Sequence, residues 1–172
     1  MSKKHFIESY CRVTTDTIYV NGKKVFEAQD EDALAFLKAA YQWLEPGHPK
    51  FFKMDGLSKL AFIAAESLLS LLDEKEKDVA LILANRASSL ETDRKHQESI
   101  QDKENYYPSP AVFVYTLPNI CIGEISIKHG FYSENAFFLT ENFDASFMTM
   151  YANELLTLEK AERVLCGWVD FD

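Results

Sequence analysis

An α/β fold, with helices layered on a mixed sheet, is what the sequence predicts. Residues 79–84 and 164–169 are nearly continuous apolar runs between polar residues, a pattern typical of strands buried on both faces. Longer segments around them carry apolar residues at helical spacing. Because strands that alternate with helices favour a layered α/β sheet, we expect these two runs to be its central strands.

The first structured segment, residues 10–26, is predicted to be a β-hairpin. Residues 12–20 are rich in β-branched side chains, which favour a strand. Asn21-Gly22 is a strong turn signal, because both residues tolerate positive φ, and residues 23–26 return the strand.

Two helices are predicted to follow. Asp30 or Asp32 can cap the first, which ends before the Pro46-Gly47 pair. The second covers residues 57–72 and carries a broad apolar stripe of the kind that packs against a sheet or another helix. We expect the charged run at 73–78 to be a solvated turn.

The second half of the chain alternates between helices and strands. Residues 92–101 have no apolar face and are expected to be exposed, and a short apolar segment at 111–116 lies between prolines. Asn119 can cap a helix that ends at Gly130 in the left-handed conformation. The remaining elements are predicted as strand 136–140, helix 144–158 and strand 163–170.

The composition indicates a single domain over residues 1–172. At 172 residues and 47% hydrophobic content, the chain can bury a core without disulfides or metals. A net charge of −9 disfavours nucleic-acid binding, which needs clustered Lys and Arg. We find no apolar run near the roughly 20 residues of a membrane span and no signal-peptide pattern, so we expect a cytoplasmic protein.

The sequence predicts no metal site and no cofactor. Cys11, Cys121 and Cys166 are widely spaced, and none of the histidines has ligand spacing to them. Phosphate-binding glycine motifs and the serine nucleophile elbow are missing. Cys121 and Cys166 lie in apolar stretches of the sequence and are predicted to be buried. His129 lies at a helix C-terminus, where a cation is favoured, and is expected to have a structural role.

Four segments resemble the N-terminal half of the β-ketoacyl synthases, the condensing enzymes of fatty-acid and polyketide synthesis. The most specific is Leu117-Pro-Asn-Ile-Cys-Ile-Gly-Glu-Ile-Ser-Ile-Lys-His-Gly130, which is similar to that family's P-N-x-x-x-G helix. Residues 52–66 resemble the entry to an early helix, residues 79–89 a strand and loop without its glycines, and residues 161–170 the closing strand of that half. The resemblance implies half of a thiolase-like α/β fold.

The family's nucleophilic cysteine has no counterpart in this sequence. It belongs to a T-A-C-A-S-G-like pattern, and the matching text here is Thr140-Glu-Asn-Phe-Asp-Ala-Ser-Phe147, which puts Asn142 or Phe143 at the cysteine position. Neither an amide nor a phenyl group can form the required thioester. The family's two catalytic histidines, or a His and an Asn, belong to a C-terminal half that this sequence does not contain. The resemblance therefore implies an inactive homologue.

Such a homologue resembles the chain-length-factor subunits of aryl polyene and flexirubin-type pigment pathways, which pair with an active ketosynthase. The implied partner is an active ketosynthase or a second copy, with acyl carrier protein as a further candidate. Phe137, Phe138 and Leu139 are predicted to form the interface, because the matching strand of condensing enzymes pairs with its copy across the dimer two-fold, and we expect it to present exposed Phe.

Three alternatives stay open. The strand with Phe137 and Phe138 can be an ordinary core strand. The chain can be a divergent acyltransferase that uses Cys121 or another nucleophile. It can also be a binding module for acyl chains or carrier protein that acts alone.

Overall fold

The computed structural model describes residues 4–29, 32–70, 78–104 and 106–172, and in these ranges it contains six α-helices and two three-stranded sheets. The predicted α/β class is confirmed. One sheet is antiparallel and precedes the helices in the chain, and the other is parallel with helices on both faces.

The antiparallel sheet has the order β1 (Cys11–Val13), β2 (Thr17–Val20) and β3 (Lys23–Glu27). The predicted hairpin turn is present, with Asn21 at φ 51 and Gly22 at φ 76. The run 12–20, expected as one strand, is divided by a turn at residues 14–16. There the Thr14 N–H donates to the Thr17 carbonyl at 2.9 Å and its hydroxyl donates to Asp16 at 3.1 Å. Such local bonds compete with the sheet ladder.

Helix α1 spans Ala33–Leu44 and is capped by Asp32, whose side chain accepts from the Leu34 N–H. It ends at Glu45 in the left-handed conformation, and a 3-10 turn, Pro49–Lys53, leads on to the next helix. Asp30, the alternative cap, lies outside the described residues. So do residues 71–77, which hold the end of the predicted second helix and most of the charged run.

Helix α2 spans Gly56–Leu69 and is the central helix of the molecule, because most of its residues are buried. The Asp55 side chain caps it by accepting from the Ser58 N–H at 3.0 Å. Gly56 is required by close packing: a Cβ at this position would lie 2.1 Å from the ring of Phe171. The C-terminal residues are thereby packed onto the start of α2.

The parallel sheet has the order β5 (Asn135–Leu139), β4 (Val79–Asn85), β6 (Arg163–Trp168). Every residue of β4 is buried, which confirms the prediction of a central strand at 79–84. The same prediction for 164–169 is wrong about position, because β6 lies at an edge of the described sheet and is mostly half-buried. The residues of β6 are apolar because they contact both hydrophobic cores, one on each face of the sheet. An edge strand can make such contacts as well as a central strand.

The other helices are α3 (Leu90–Ile100), α4 (Pro110–Val114), α5 (Ile120–His129) and α6 (Ala145–Thr157). Helix α3 was predicted to be exposed, but only Arg94, Lys95, Gln97 and Glu98 of its residues are exposed; Thr92 is buried and the others are half-buried. Helix α5 ends at Gly130 with φ 68, as predicted, but the side chain of Asn119 makes no capping hydrogen bond. Helix α6 lies within the predicted range 144–158, and the Asp144 side chain caps it. None of the helices in the described ranges has the length and apolar character needed to cross a membrane.

Side chains of β4 alternate between two hydrophobic cores. Leu81 and Leu83 belong to a large core that also takes residues from β2, α1, α2 and α5. Ala80, Ile82 and Ala84 belong to a smaller core, which is completed by Met148 and Leu155 of α6 and by Ala161. One face of the parallel sheet is therefore deeply covered and the other rests on α6.

Candidate functional site

The loop from β5 to α6 lies where a ligand or nucleophile is expected in a parallel α/β sheet. It follows the carboxyl end of a strand and precedes a helix, a location that such sheets use for binding. Asn142 and Phe143 lie in this loop and are exposed. The Thr140 N–H donates to the Asn85 carbonyl at 3.0 Å, and the Phe143 ring contacts Trp168 edge-to-face at 6.3 Å.

Asp144 places a carboxylate at the end of this loop, where α6 begins. Its carboxylate accepts a hydrogen bond from the Phe147 N–H at 2.9 Å and so caps α6. A helix N-terminus stabilises a nearby anion through its free N–H groups and its dipole. Here a carboxylate already uses that stabilisation, so a second anion, such as a thiolate or an oxyanion, would be repelled.

Polar groups at the carboxyl end of β4 hold backbone turns. Asn85 is fully buried; its amide donates to the Ser88 carbonyl at 2.8 Å and accepts from the Ser88 N–H at 2.9 Å. Ser88 takes a positive φ of 56 in this turn. Asp170, after β6, accepts from the Ala87 N–H at 3.3 Å. The side chains of Asn85 and Asp170 thus fix the backbone conformation at the carboxyl end of the parallel sheet.

The three cysteines differ strongly in accessibility. Cys121 is fully buried, as predicted; burial raises the pKa of its thiol and the Asp55 carboxylate adds to this. Cys11 is half-buried, and burial raises the pKa of its thiol to about 11. Cys166 was expected to be buried, but it is exposed, because it lies on the edge strand β6. None of the three lies in the β5–α6 loop.

The predicted interface strand contributes mainly to the core. Phe137 packs against the large core and Phe138 against the small one, where its ring lies 4.9 Å from Phe147 and 5.4 Å from Tyr151. Both are half-buried, so the expectation of exposed Phe is wrong for this strand. Leu139 alone of the three predicted interface residues is largely exposed, at 57%.

A buried carboxylate that the sequence analysis did not single out lies on α5. Glu124 is 3% exposed, and its Oε1 accepts from the Tyr115 hydroxyl and from Lys50 Nζ, each at 2.9 Å. Its Oε2 is buried without a hydrogen-bond partner among the described residues. Burial and the Glu124 carboxylate raise the pKa of the Tyr115 hydroxyl, which stays a donor.

A second buried carboxylate, Glu66 of α2, pairs with His129 of α5 at 2.9 Å. The His129 ring also stacks on Phe131, in agreement with a structural role. Nearby, the His48 ring stacks on Phe62 with its Nε2 buried, and burial lowers the pKa of His48 against the attraction of Glu124. Buried Glu66, Tyr115 and Glu124 thus meet two half-buried histidines and one half-exposed lysine. We call this group, after its buried members, the buried ionisable cluster: His48, Lys50, Glu66, Tyr115, Glu124 and His129.

The sequence does contain a signal for this cluster. Glu66 and Glu124 interrupt apolar helical stretches, Ala64-Ala-Glu-Ser-Leu and Ile122-Gly-Glu-Ile. A charged residue within an apolar stripe is almost never fully buried unless it is paired. Its partners Lys50, Tyr115 and His129 are distant in the chain or lie on another element, so only the fold reveals the pairing.

No group of three or more His, Cys, Asp or Glu side chains in the described ranges is arranged to hold a metal ion. No protein-family model matches this sequence, and no curated protein matches it either. The likeness to the β-ketoacyl synthases therefore rests on the motifs alone.

Proposed function

We propose that this chain is a catalytically inactive homologue of the β-ketoacyl synthases that acts as a partner subunit, in the manner of a chain-length factor, in fatty-acid or polyketide-type biosynthesis. The motif at 117–130 supports the proposal, since residues Ile120–His129 of it form a helix that ends at Gly130 in the left-handed conformation. The observation that carries it is the β5–α6 loop, where Asn142 and Phe143 stand at the position that the resemblance gives to the nucleophile.

The surroundings of that loop argue against a substitute nucleophile. A thioester-forming thiol must be accessible and readily ionised. Cys121 lies on α5, away from this loop; it is fully buried, and burial and the Asp55 carboxylate raise the pKa of its thiol. An acyltransferase that uses Cys121 as its nucleophile is therefore disfavoured, because the thiol is inaccessible and its ionisation is opposed by burial and by the Asp55 carboxylate.

Exposed apolar side chains support a role as a partner. Leu139 is exposed at the edge strand β5, and an apolar stretch after α3 leaves Tyr106, Tyr107, Phe113 and Leu117 exposed. Contiguous exposed apolar surface commonly marks a protein interface. A stable interface of this kind would bury about 1,200 Å² or more in total.

The test combines chemistry and association. After incubation with acyl- and malonyl-carrier proteins, intact mass spectrometry is expected to find no acyl adduct on the chain. Co-expressed with a chain-length-factor-dependent ketosynthase, the chain is expected to co-purify with it and to change the product chain length. A thioester adduct on any cysteine, or a chain that neither self-associates nor binds the ketosynthase, would contradict the proposal.

A further inference from the structure

The segment between α1 and α2, residues 45–53, is held by aromatic and polar contacts around His48. The His48 N–H donates to the Tyr41 hydroxyl at 2.9 Å, and its ring stacks on Phe62 at 5.4 Å and 18°. Tyr41 in turn stacks on Phe51, which is fully buried, at 4.4 Å. The His48 side chain and backbone thus hold the segment against both α1 and α2.

An ion pair also connects this segment to α5. Lys50 Nζ lies 2.9 Å from Glu124 Oε1, and the lysine side chain is 49% exposed whereas the carboxylate is 3% exposed. The lysine can therefore move into water, while the carboxylate cannot follow. If the segment moves away, Glu124 keeps the Tyr115 hydroxyl but loses its cation.

His48 Nε2 has charges of both signs around it but no hydrogen-bond partner among the described residues, although it is buried. The charged and titratable groups that face it are Lys50 of its own segment, Tyr41 of α1, Glu66 of α2, and Glu124 and Lys128 of α5. A proton on Nε2 would place a positive charge in this buried position, near two lysines and without an acceptor in contact. Burial accordingly lowers the pKa of His48, and the two carboxylates do not fully offset the effect.

We propose that His48 is an acid-sensitive latch, whose neutral ring holds residues 45–53 closed and whose protonation releases them. The imidazolium leaves the Phe62 ring for water, its backbone N–H leaves Tyr41, and Lys50 is drawn away from Glu124. Release uncovers the buried ionisable cluster and the apolar surfaces of α2 and α5 beneath the segment.

The sign of the pH dependence follows from linkage. In the released segment His48 titrates near its ordinary pKa of 6.5, whereas in the closed segment its pKa is lower. Release therefore takes up a proton in the interval between the two pKa values. The equilibrium constant for release rises by up to about tenfold for each pH unit by which the pH falls through that interval, since one proton is bound.

Hydrogen exchange of the whole chain, measured by NMR from pH 7.5 to 5.0, tests this. The reporters are the amides of His48, which donates to Tyr41, and of Phe51, which donates to the His48 carbonyl at 3.0 Å. Their protection factors, corrected for intrinsic exchange, are expected to fall by up to about tenfold per pH unit below 6.5 while amides of β4 keep theirs. Equal protection of the His48 and Phe51 amides at pH 7.5 and 5.0 would overturn the proposal.

Two variants separate the ring from the lysine. His48→Phe keeps an aromatic stack on Phe62 but cannot titrate, so protection of the Phe51 amide should become independent of pH. Lys50→Gln should lower that protection at every pH and keep a pH dependence, over a narrower interval because Lys50 no longer disfavours the imidazolium. A wild-type slope in His48→Phe refutes the latch. If His48→Phe does not fold, the imidazole shifts of the wild-type chain decide: a His48 pKa at or above 6.5 in the closed protein rejects the proposal.

Discussion

Two glutamates in the large core show how single residues constrain this molecule. Glu66 and Glu124 are each less than a tenth exposed, and each has a cationic or titratable partner from another element. Taking a carboxylate out of water costs several kcal/mol unless it is paired and hydrogen-bonded. The two acids thus tie α5 to α2 and to the segment before it, because any displacement leaves a buried charge without its partner.

Removal of the lysine partner should be costly. For Lys50→Met we expect a loss of about 1–2 kcal/mol in the free energy of unfolding at pH 7, below the range for a fully buried pair because the lysine is half exposed. Lys53→Met, an exposed lysine of the same 3-10 turn, is the matched control and should change stability by less than about 0.5 kcal/mol. Urea denaturation measures both, and equal losses would argue against a role for the Lys50–Glu124 pair.

Gly56 is a second residue with a specific steric role. Gly56→Ala should cost about 1–3 kcal/mol, because the new methyl group overlaps the Phe171 ring. In a Phe171→Ala background the same change should be neutral or stabilising by up to about 1 kcal/mol, since Ala has the higher helix propensity. A double-mutant cycle by thermal or urea unfolding gives the coupling, and additive effects would mean that the two residues do not meet.

The cysteines allow a direct check of burial. With iodoacetamide under native conditions, Cys166 is expected to react first, Cys11 slowly because its pKa is about 11, and Cys121 only after unfolding. Peptide mapping by mass spectrometry at several times gives the three rates, with the urea-unfolded chain as the reference for full reactivity. Labelling of Cys121 at the Cys166 rate would contradict the packing of α5 described above.

At the scale of elements, local signals in the sequence predicted β4 and the helices other than α4 well; residues 111–116 were expected only as a short apolar segment. Asp144 and Gly130 mark helix ends by their own chemistry, and the fully apolar run of β4 matches a strand buried on both faces. The turn at residues 14–16 was missed because β-branched residues favour a strand, while the Thr14 hydroxyl bonds to Asp16 instead.

The position of a strand within its sheet was less predictable. A run of apolar residues indicates that both faces of a strand are in contact with other side chains. It does not indicate how many neighbouring strands pair with the backbone. The residues of β6 contact both cores from an edge, so 164–169 reads like a central strand and Cys166 reads like a buried residue. The buried ionisable cluster could not be predicted from the sequence for a similar reason, because its members come together only through tertiary packing.

For the whole molecule, the proposed association through β5 leads to a paired prediction. Leu139→Glu adds a charge at an exposed site, so it should leave the free energy of unfolding within about 0.5 kcal/mol and weaken binding to a ketosynthase or to a second copy. Phe138→Ala removes a half-buried ring from the small core and should cost about 2–3 kcal/mol, less than for a fully buried Phe.

Light scattering coupled to size exclusion, together with urea unfolding, separates the two effects. Ser146→Glu, an exposed position at the start of α6, is the control for added charge. Unchanged association in Leu139→Glu would exclude the β5 edge as the contact, whereas loss in both Leu139→Glu and Ser146→Glu would indicate a general effect of charge.

The strand order β5-β4-β6 also has a consequence for synthesis of the chain on the ribosome. Both pairing partners of β4 lie far downstream of it in the chain, β5 at Asn135–Leu139 and β6 at Arg163–Trp168. Pairing between such distant segments is slow, because a long loop must close before any contact forms. The fully buried strand β4 therefore stays without its neighbours until β5 and β6 have been synthesised, and during that interval its apolar side chains need protection by chaperones.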